Sequence, residues 1–469
     1  MRRRRIIAAR YALALVGCSL GVANALAGNV SFWVWNRSTP LSAVELAELN
    51  TANVRQLYWH AGELENSGDG WRWRRPAFSP PASGLHIVPV IRLDSIAREP
   101  FAGSALKSLL NELRAAIEQN SWRELQIDCD TPDRLLGQYA IALAEIRRLL
   151  PRLSVTALAG WSRSVHWHAL QQSVDEIFPM FYDLHEDAPR VGLGATPRPL
   201  LDETEVARQL QEWSQCRIPW RAGLPNFGRV TVYDHGGKSR GHIRAWRWND
   251  LCFDPALLKT EARNLMTVLL RVGSDTRLGA SVLRAGESVA VRLPDRGVLH
   301  DAVRRSEAAQ ASGVVFFRLP EPSAPSGWSL RQLRQLGAPA EAQLRLRREA
   351  DGRFRLTNAS DVDLAPRLAG PDGERDRGYA LEVDTDHPIW REAMEGEFWR
   401  VTGHANPEGQ AERVTIPLAT RLTFWFSHLP AGAELRSGLI IPAPNASAGD
   451  VRYRILNAPG ASEWRAIGN

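Results

Sequence analysis

Eight short apolar windows of strand character recur between residues 31 and 319, most of them separated by stretches of helical periodicity, and this order constrains the fold more than any other feature. The strand windows are 31–36, 56–62, 86–93, 124–130, 154–160, 176–182, 220–224 and 313–319. Helical patterning falls at 43–53, introduced by Thr39, Pro40 and Ser42, and at 105–119, 134–150, 203–215 and 301–311, with a further helix near 330–336. A repeating strand and helix order implies a parallel sheet. Over roughly 300 residues a closed eight-stranded barrel accommodates it better than an open sheet. The expected architecture is therefore α/β: a (β/α)8 TIM barrel over 28–337, with an insertion at 235–300 before its last strand. After Ala338 the pattern changes to alternating runs at 343–347, 353–357, 421–426 and 451–456, broken by Gly, Asn, Asp and Pro. A C-terminal β-sandwich over 338–469 is the natural reading.

A formal charge of +6 looks basic, but Arg2, Arg3, Arg4, Arg5 and Arg10 precede every acidic residue, and without them the chain is nearly neutral. Electrostatics thus gives no argument for a nucleic-acid partner. The same Arg cluster, the apolar run from Tyr11 to Val22, and then Ala25, Leu26 and Ala27 follow the order of a secretory signal, which is assigned to residues 1–27. Cleavage after Ala27 would release an exported protein, periplasmic or secreted. Leu15, Val16, Gly17 and Cys18 also resemble a lipoprotein box, which would instead put a lipid on Cys18 and hold the protein at a membrane, the outer membrane included. Cys129, Cys216 and Cys252 remain in the mature chain, with no metal-ligand spacing among them, and are read as buried thiols. His166 and His168 flank Trp167 without a third ligand nearby, so no metal site and no cofactor is expected.

The fourth strand window carries the chemistry. Side chains alternate along a strand, so Gln126, Asp128 and Asp130 share one face while Leu125, Ile127 and Cys129 take the other. Three polar groups on one face do not help a strand fold. Two carboxylates two positions apart repel, which raises one pKa and can keep that group protonated as a general acid. A pair of surface or capping Asp at a strand end is the equally weighted alternative. Seventeen Trp against seven Tyr adds flat apolar faces that suit sugar rings as well as core packing.

Gln126, Ile127, Asp128, Cys129, Asp130, Thr131 and Pro132 resemble the fourth-strand signature of family 18 glycoside hydrolases, the chitinase family, which reads Asp, apolar, Asp, aromatic, Glu, aromatic, Pro. Met180, Phe181, Tyr182 and Asp183 match that family's sixth-strand motif. Gly223, Leu224 and Pro225 resemble its seventh strand, and 313–319 its eighth, with Phe317 where a Trp is usual. The layout as a whole resembles the bacterial family called domain of unknown function 3142. The resemblance implies that Asp130 stands at the general-acid position and Asp128 at the carboxylate that orients a substrate acetamido group. It further implies that Tyr182 hydrogen-bonds that group, that Asp183 contacts a sugar hydroxyl, and that the substrate's own N-acetyl oxygen is the nucleophile.

Several residues depart from the chitinase pattern. Asp130 replaces Glu, Gln126 replaces the first Asp, and Arg92, Leu93 and Asp94 stand where chitinases have a Ser and Gly pair. An altered substrate and lost activity both follow from such changes. Arg92 and His60 would suit an anionic sugar if they reach the mouth, whereas Arg92 pairing with Asp94 or Asp128 inside the barrel is the plainer expectation. Trp161, at the end of the fifth strand, is a candidate for stacking, and Trp71 and Trp73 would line a cleft or cap the barrel. Two functions are expected from this reading. One is an exported glycoside-hydrolase-like protein acting on a polysaccharide or glycoconjugate, and the other a catalytically silent barrel serving as a glycan-binding or envelope-assembly module.

Overall fold

The computed structural model describes residues 29–68, 70–184, 197–264, 266–321, 327–337, 341–368, 377–385, 387–405, 412–444, 451–458 and 463–467. Residues 1–27, and with them the expected signal and Cys18, lie outside this range.

The chain runs through β1 (Val30–Val34), α1 (Ala43–Thr51), β2 (Gln56–Asn66), β3 (Trp71–Arg75), β4 (His86–Ser95), α2 (Gly103–Asn120), β5 (Glu124–Asp128), α3 (Leu136–Arg147), β6 (Arg152–Leu158), α4 (Trp167–Ser173), β7 (Glu176–Met180), α5 (Glu203–Trp213) and β8 (Arg221–Pro225). An insertion follows, with β9 (Arg229–Tyr233), β10 (Ser239–His242), α6 (Trp248–Phe253), β11 (Leu257–Asn264), β12 (Thr267–Val272), β13 (Thr276–Leu278), β14 (Ser281–Leu283) and β15 (Ser288–Arg292). The chain then returns through α7 (Arg296–Ala308), β16 (Gly313–Phe317) and α8 (Leu330–Arg334). Strands β1, β2, β4, β5, β6, β7, β8 and β16 pair in parallel in that order, and β16 pairs with β1, so the sheet closes into an eight-stranded barrel. The TIM-barrel expectation holds.

Local chemistry places the helices. Ser42 and Glu45 close a capping box at the start of α1, with hydrogen bonds of 3.2 and 2.7 Å, and Asp202 and Asp295 cap α5 and α7. Alternation along the strands then divides the core in two. Leu57, Trp59, Ile91, Leu125, Ile127, Val155, Ile177 and Phe316 pack outward with the helices, while Trp33, Tyr58, Val88, Val90, Phe178 and Val315 fill the barrel interior. Gly223 makes room for that filling, because a Cβ there would lie 3.0 Å from the Trp33 ring and 2.9 Å from the Pro179 carbonyl oxygen.

One element was not expected. Residues 71–75, which fall in none of the strand windows, form β3, which pairs antiparallel with the extended end of β2. Trp71 on it is buried against Phe101 and donates to the Pro100 carbonyl at 2.9 Å, so it belongs to the packing between β3 and α2. Within the insertion, β10, β9, β15, β12 and β11 form an antiparallel sheet. After α8 come a six-stranded and a three-stranded antiparallel sheet and a two-stranded ribbon, around a core that includes Phe354, Leu381, Trp390, Phe424 and Ile455. This is the expected sandwich-like C-terminal domain. Cys129 and Cys252 are buried free thiols and Cys216 is half-buried. Among the described residues no helix is long and apolar enough to cross a membrane.

The two domains meet around His428. Its ring lies 6.3 Å from Trp248 of α6, and the neighbouring Ser427 amide donates to Asn249 Oδ1 at 3.2 Å. Burial pushes the His428 imidazole down to about 4, and burial does the same to His60. Between about pH 6.5 and pH 4 the unfolded chain therefore takes up protons that the folded chain refuses, and stability falls as the pH is lowered through this window. For His428 alone the loss is on the order of 3 kcal/mol by pH 4. Urea unfolding followed at pH 7, 6, 5 and 4 should show this slope, and His428→Gln should make it shallower.

Candidate functional site

The C-terminal ends of the barrel strands surround a cleft of about 850 Å³, within the range of small-molecule sites. Each wall comes from a different strand. Trp33 and Trp35 lie at the end of β1, Arg92 on β4, Asp128 at the last position of β5, and Asp130 just beyond it. Thr156 is on β6, Met180, Tyr182 and Asp183 come at the end of β7 and just after it, and Phe317 ends β16.

Arg92 organises the acidic side of the cleft. The register pairs it with Asp128 across β4 and β5. Its guanidinium donates to Asp128 Oδ2 at 2.8 Å, to Asp130 Oδ2 at 3.0 Å and to Asp94 Oδ1 at 3.1 Å. This is the internal pairing foreseen for Arg92, extended to a third carboxylate. The Asp128 side chain is only 6% exposed, whereas that of Asp130 is 46% exposed. Thr156 Oγ1 also donates to Asp128, at 2.7 Å. Burial is the largest influence on Asp128 and pushes its carboxyl above the usual range; Arg92 opposes the rise and Asp130 adds to it. Burial works against the Arg92 charge, but Asp128, Asp130 and Asp94 together hold its pKa above the ordinary value.

The opposite wall is aromatic. Phe317 is its centre, with Tyr182 stacked at 6.0 Å and 25°, and Trp35 and Trp33 edge-on at 5.6 and 6.2 Å. Burial, and then the Asp128 charge, push the Tyr182 phenol well above its usual value, so it stays neutral. His60 does not reach the cleft. It is buried under Trp35, stacked at 4.2 Å, and faces Glu63 at 3.3 Å. Asp183 is held by both its oxygens to Arg229 of β9, which ties the insertion to the barrel mouth.

Six of the residues singled out in the sequence, Asp128, Asp130, Tyr182, Asp183, Arg92 and Phe317, thus line one cleft. Two others do not. Gln126 lies one layer deeper, fully buried, where it accepts from Trp33 Nε1 at 2.6 Å and faces Ser154 at 3.4 Å. Alternation placed it correctly inside the barrel, but the Trp33 indole roofs it over, so it is a packing residue and not a substrate contact. Trp161 is buried outside the cleft, donating to the Thr131 carbonyl at 3.1 Å with its ring edge-on to Tyr139. The chain turns after β6 through a 3-10 segment, Ala159–Arg163, and this carries the indole into the helix layer. The cleft also contains Trp33, Trp35, Thr156, Arg163, Glu205 and Arg208, which the sequence reading had not assigned to it. The Trp33 and Trp35 spacing of two, at the end of the first strand, was a usable signal; the others had none. Among the described residues no group of three or more His, Cys, Asp or Glu could hold a metal ion.

Residues 83–267 match the family model described as Domain of unknown function (DUF3142). The resemblance to that family read from the sequence is met over this segment, which includes β5, β7 and β8. A search of curated proteins finds no match. Among solved structures the chain is similar to the spore cortex-lytic enzyme SleL of Bacillus megaterium QM B1551, at 15% identity over 62% of this chain and 70% of that one, with a TM-score of 0.42. It is also similar to chitinase ChiA74 from Bacillus thuringiensis, at 9% identity over 91% and 100%, TM-score 0.42. A mutant GH18 chitinase from Cycas revoluta in complex with (GlcNAc)4 aligns at 12% identity over 62% and 95%, TM-score 0.40.

Proposed function

We propose that the barrel mouth binds carbohydrate, a segment of a polysaccharide or glycoconjugate laid across Phe317, Tyr182 and Trp35 with its hydroxyls turned to Asp128, Asp130 and Thr156. The observation that carries this reading is the pairing of an aromatic wall with a carboxylate wall in one open cleft. Sugar rings present apolar C–H faces and polar edges, and a cleft with both surfaces answers both. An exported protein, by the signal at residues 1–27, would meet such chains outside the cytoplasm. Phe317→Ala is expected to weaken binding of a soluble oligosaccharide about tenfold, or roughly 1.4 kcal/mol, measured by isothermal titration.

A second reading, hydrolysis of the bound glycan, is favoured by the placement of Asp130 at the cleft surface beside a buried Asp128 whose pKa burial raises. In that chemistry Asp130 would give a proton to the glycosidic oxygen and later recover one, with Asp128 and Tyr182 orienting the reacting group. The 3.0 Å contact from Arg92 works against it, because the guanidinium engages Oδ2 and leaves one Asp130 oxygen for proton transfer. Asp130→Asn decides between the readings. If the protein hydrolyses glycans, the variant should lose turnover by about 10²- to 10⁴-fold in a reducing-end assay while still binding the chain. If neither wild type nor variant releases reducing ends from any glycan that binds, the cleft is a binding site alone.

A further inference from the structure

We infer that the sugar recognised in this cleft carries a free ammonium group, as an amino sugar without its acetyl does, and is not an acidic sugar. The inference rests on the carbohydrate reading above and narrows it to a substrate class.

The argument is a count of charges and of their partners. Among the described residues, four guanidiniums lie in or against the cleft, and each is already bonded to carboxylates. Arg92 serves Asp94, Asp128 and Asp130, and Arg229 is committed to Asp183. On α5 and beside it, Arg208 pairs with Glu205 and Glu212, and Arg163 meets Glu212 at 3.6 Å. Arg74 shares Asp94 with Arg92; with it and its other partner Glu63 counted, seven carboxylates among the described residues face five guanidiniums, and even with Asp128 protonated the excess is negative. Among the described residues an anionic sugar would find no uncommitted cation, and it would bring its own charge up against Asp130, at a cost that grows as water leaves the cleft. Arg92, the residue that first suggested an acidic sugar, is spent on the protein's own carboxylates.

One anionic atom is open. Asp130 Oδ2 accepts from Arg92, while Asp130 Oδ1 accepts no hydrogen bond, on a side chain 46% exposed to the cleft. A carboxylate oxygen in that position is matched by an ammonium donor, which forms a charge-assisted hydrogen bond of about 2.8 Å. The facing rings reinforce the choice, because the faces of Tyr182 and Phe317 attract a cation and not an anion. Bulk electrostatics does not produce the same preference: without the five N-terminal arginines the chain is nearly neutral, so any selectivity for a polycation must be local to the cleft.

The test compares three soluble tetrasaccharides on the full-length protein by isothermal titration at pH 6 and low salt: glucosamine, N-acetylglucosamine and galacturonate. The glucosamine tetramer should bind about tenfold or more tighter than the acetylated one, with an affinity that falls several-fold between 50 and 500 mM salt. Asp130→Asn should remove most of that advantage, weakening the glucosamine tetramer several-fold more than the acetylated one, and because the side chain is 46% exposed the variant should fold. Equal or tighter binding of the acetylated or uronate tetramer overturns the ammonium assignment while keeping the carbohydrate reading. An Asp130→Asn variant that retains the full preference overturns it too. If none of the three sugars binds, both readings fall together.

Discussion

Arg92→Ala should cost about 3 kcal/mol of folding stability at pH 8, and clearly less at pH 5. The guanidinium holds three carboxylates, and one of them, on Asp128, is only 6% exposed. Breaking a buried pair by removing one partner leaves an uncompensated charge, at about 3–5 kcal/mol for fully buried pairs; Arg92 is 28% exposed, which places the expectation at the lower end. Asp128 can escape the penalty by taking up a proton, since burial already raises its pKa and Arg92 is what restrains the rise. A carboxyl whose folded pKa lies above its unfolded value binds more protons when folded, so the variant is least stable above that pKa and recovers below it. Asp128→Asn in the Arg92→Ala background removes the charge outright and should restore most of the loss at pH 8. Urea unfolding of wild type and both variants at the two pH values measures all of this. A single variant as stable as wild type at pH 8 would show that Arg92 does not hold the acidic wall.

The same cluster shows what the sequence could and could not convey. Strand alternation put Gln126 and Asp128 on one inward face, and the structure agrees, yet alternation carries no information on height along the barrel axis. Gln126 ends up beneath the Trp33 indole and Asp128 level with the cleft floor, because Gln126 lies two residues further from the C-terminal end of β5 and a ring 93 positions away in the chain closes over it. Arg92 was legible as a charged residue on an apolar strand, and its pairing with Asp94 or Asp128 followed from the cost of an isolated buried charge. That Asp130 joins the same guanidinium depends on how the chain turns after β5, which no periodicity records. The eight barrel strands were readable because each is an apolar run of ordinary length. Residues 71–75 were not, although Trp and Arg alternate there as in a half-buried strand, because the run is short and rich in charge and the extended end of β2 gives it its pairing edge. Trp161 was misplaced for a related reason: an indole at a strand end has the same composition whether the next turn points it into the mouth or into the helix layer.

At the other end of the barrel an ion pair of similar chemistry stands without a cleft, and Glu176→Ala is expected to be the most destabilising of these substitutions, at about 4 kcal/mol. Glu176 opens β7 and accepts from Arg221 Nε at 2.8 Å, from Arg152 Nη2 at 3.0 Å and from Ser312 Oγ at 3.2 Å. Arg221 is buried as deeply as its partner, and its Nη1 already has no hydrogen-bond acceptor, so the lost carboxylate has no substitute. Glu176→Gln keeps an acceptor in place and should cost less than Glu176→Ala, though more than an exposed pair would. Neither variant touches the mouth, because Glu176 lies at the start of the strand that Tyr182 follows. Oligosaccharide affinity measured well below the lowered melting temperature should therefore match wild type. A Glu176→Ala protein that loses affinity while still fully folded would mean that the two ends of the barrel are coupled through its interior residues, Tyr58 and Phe178, which stand between them.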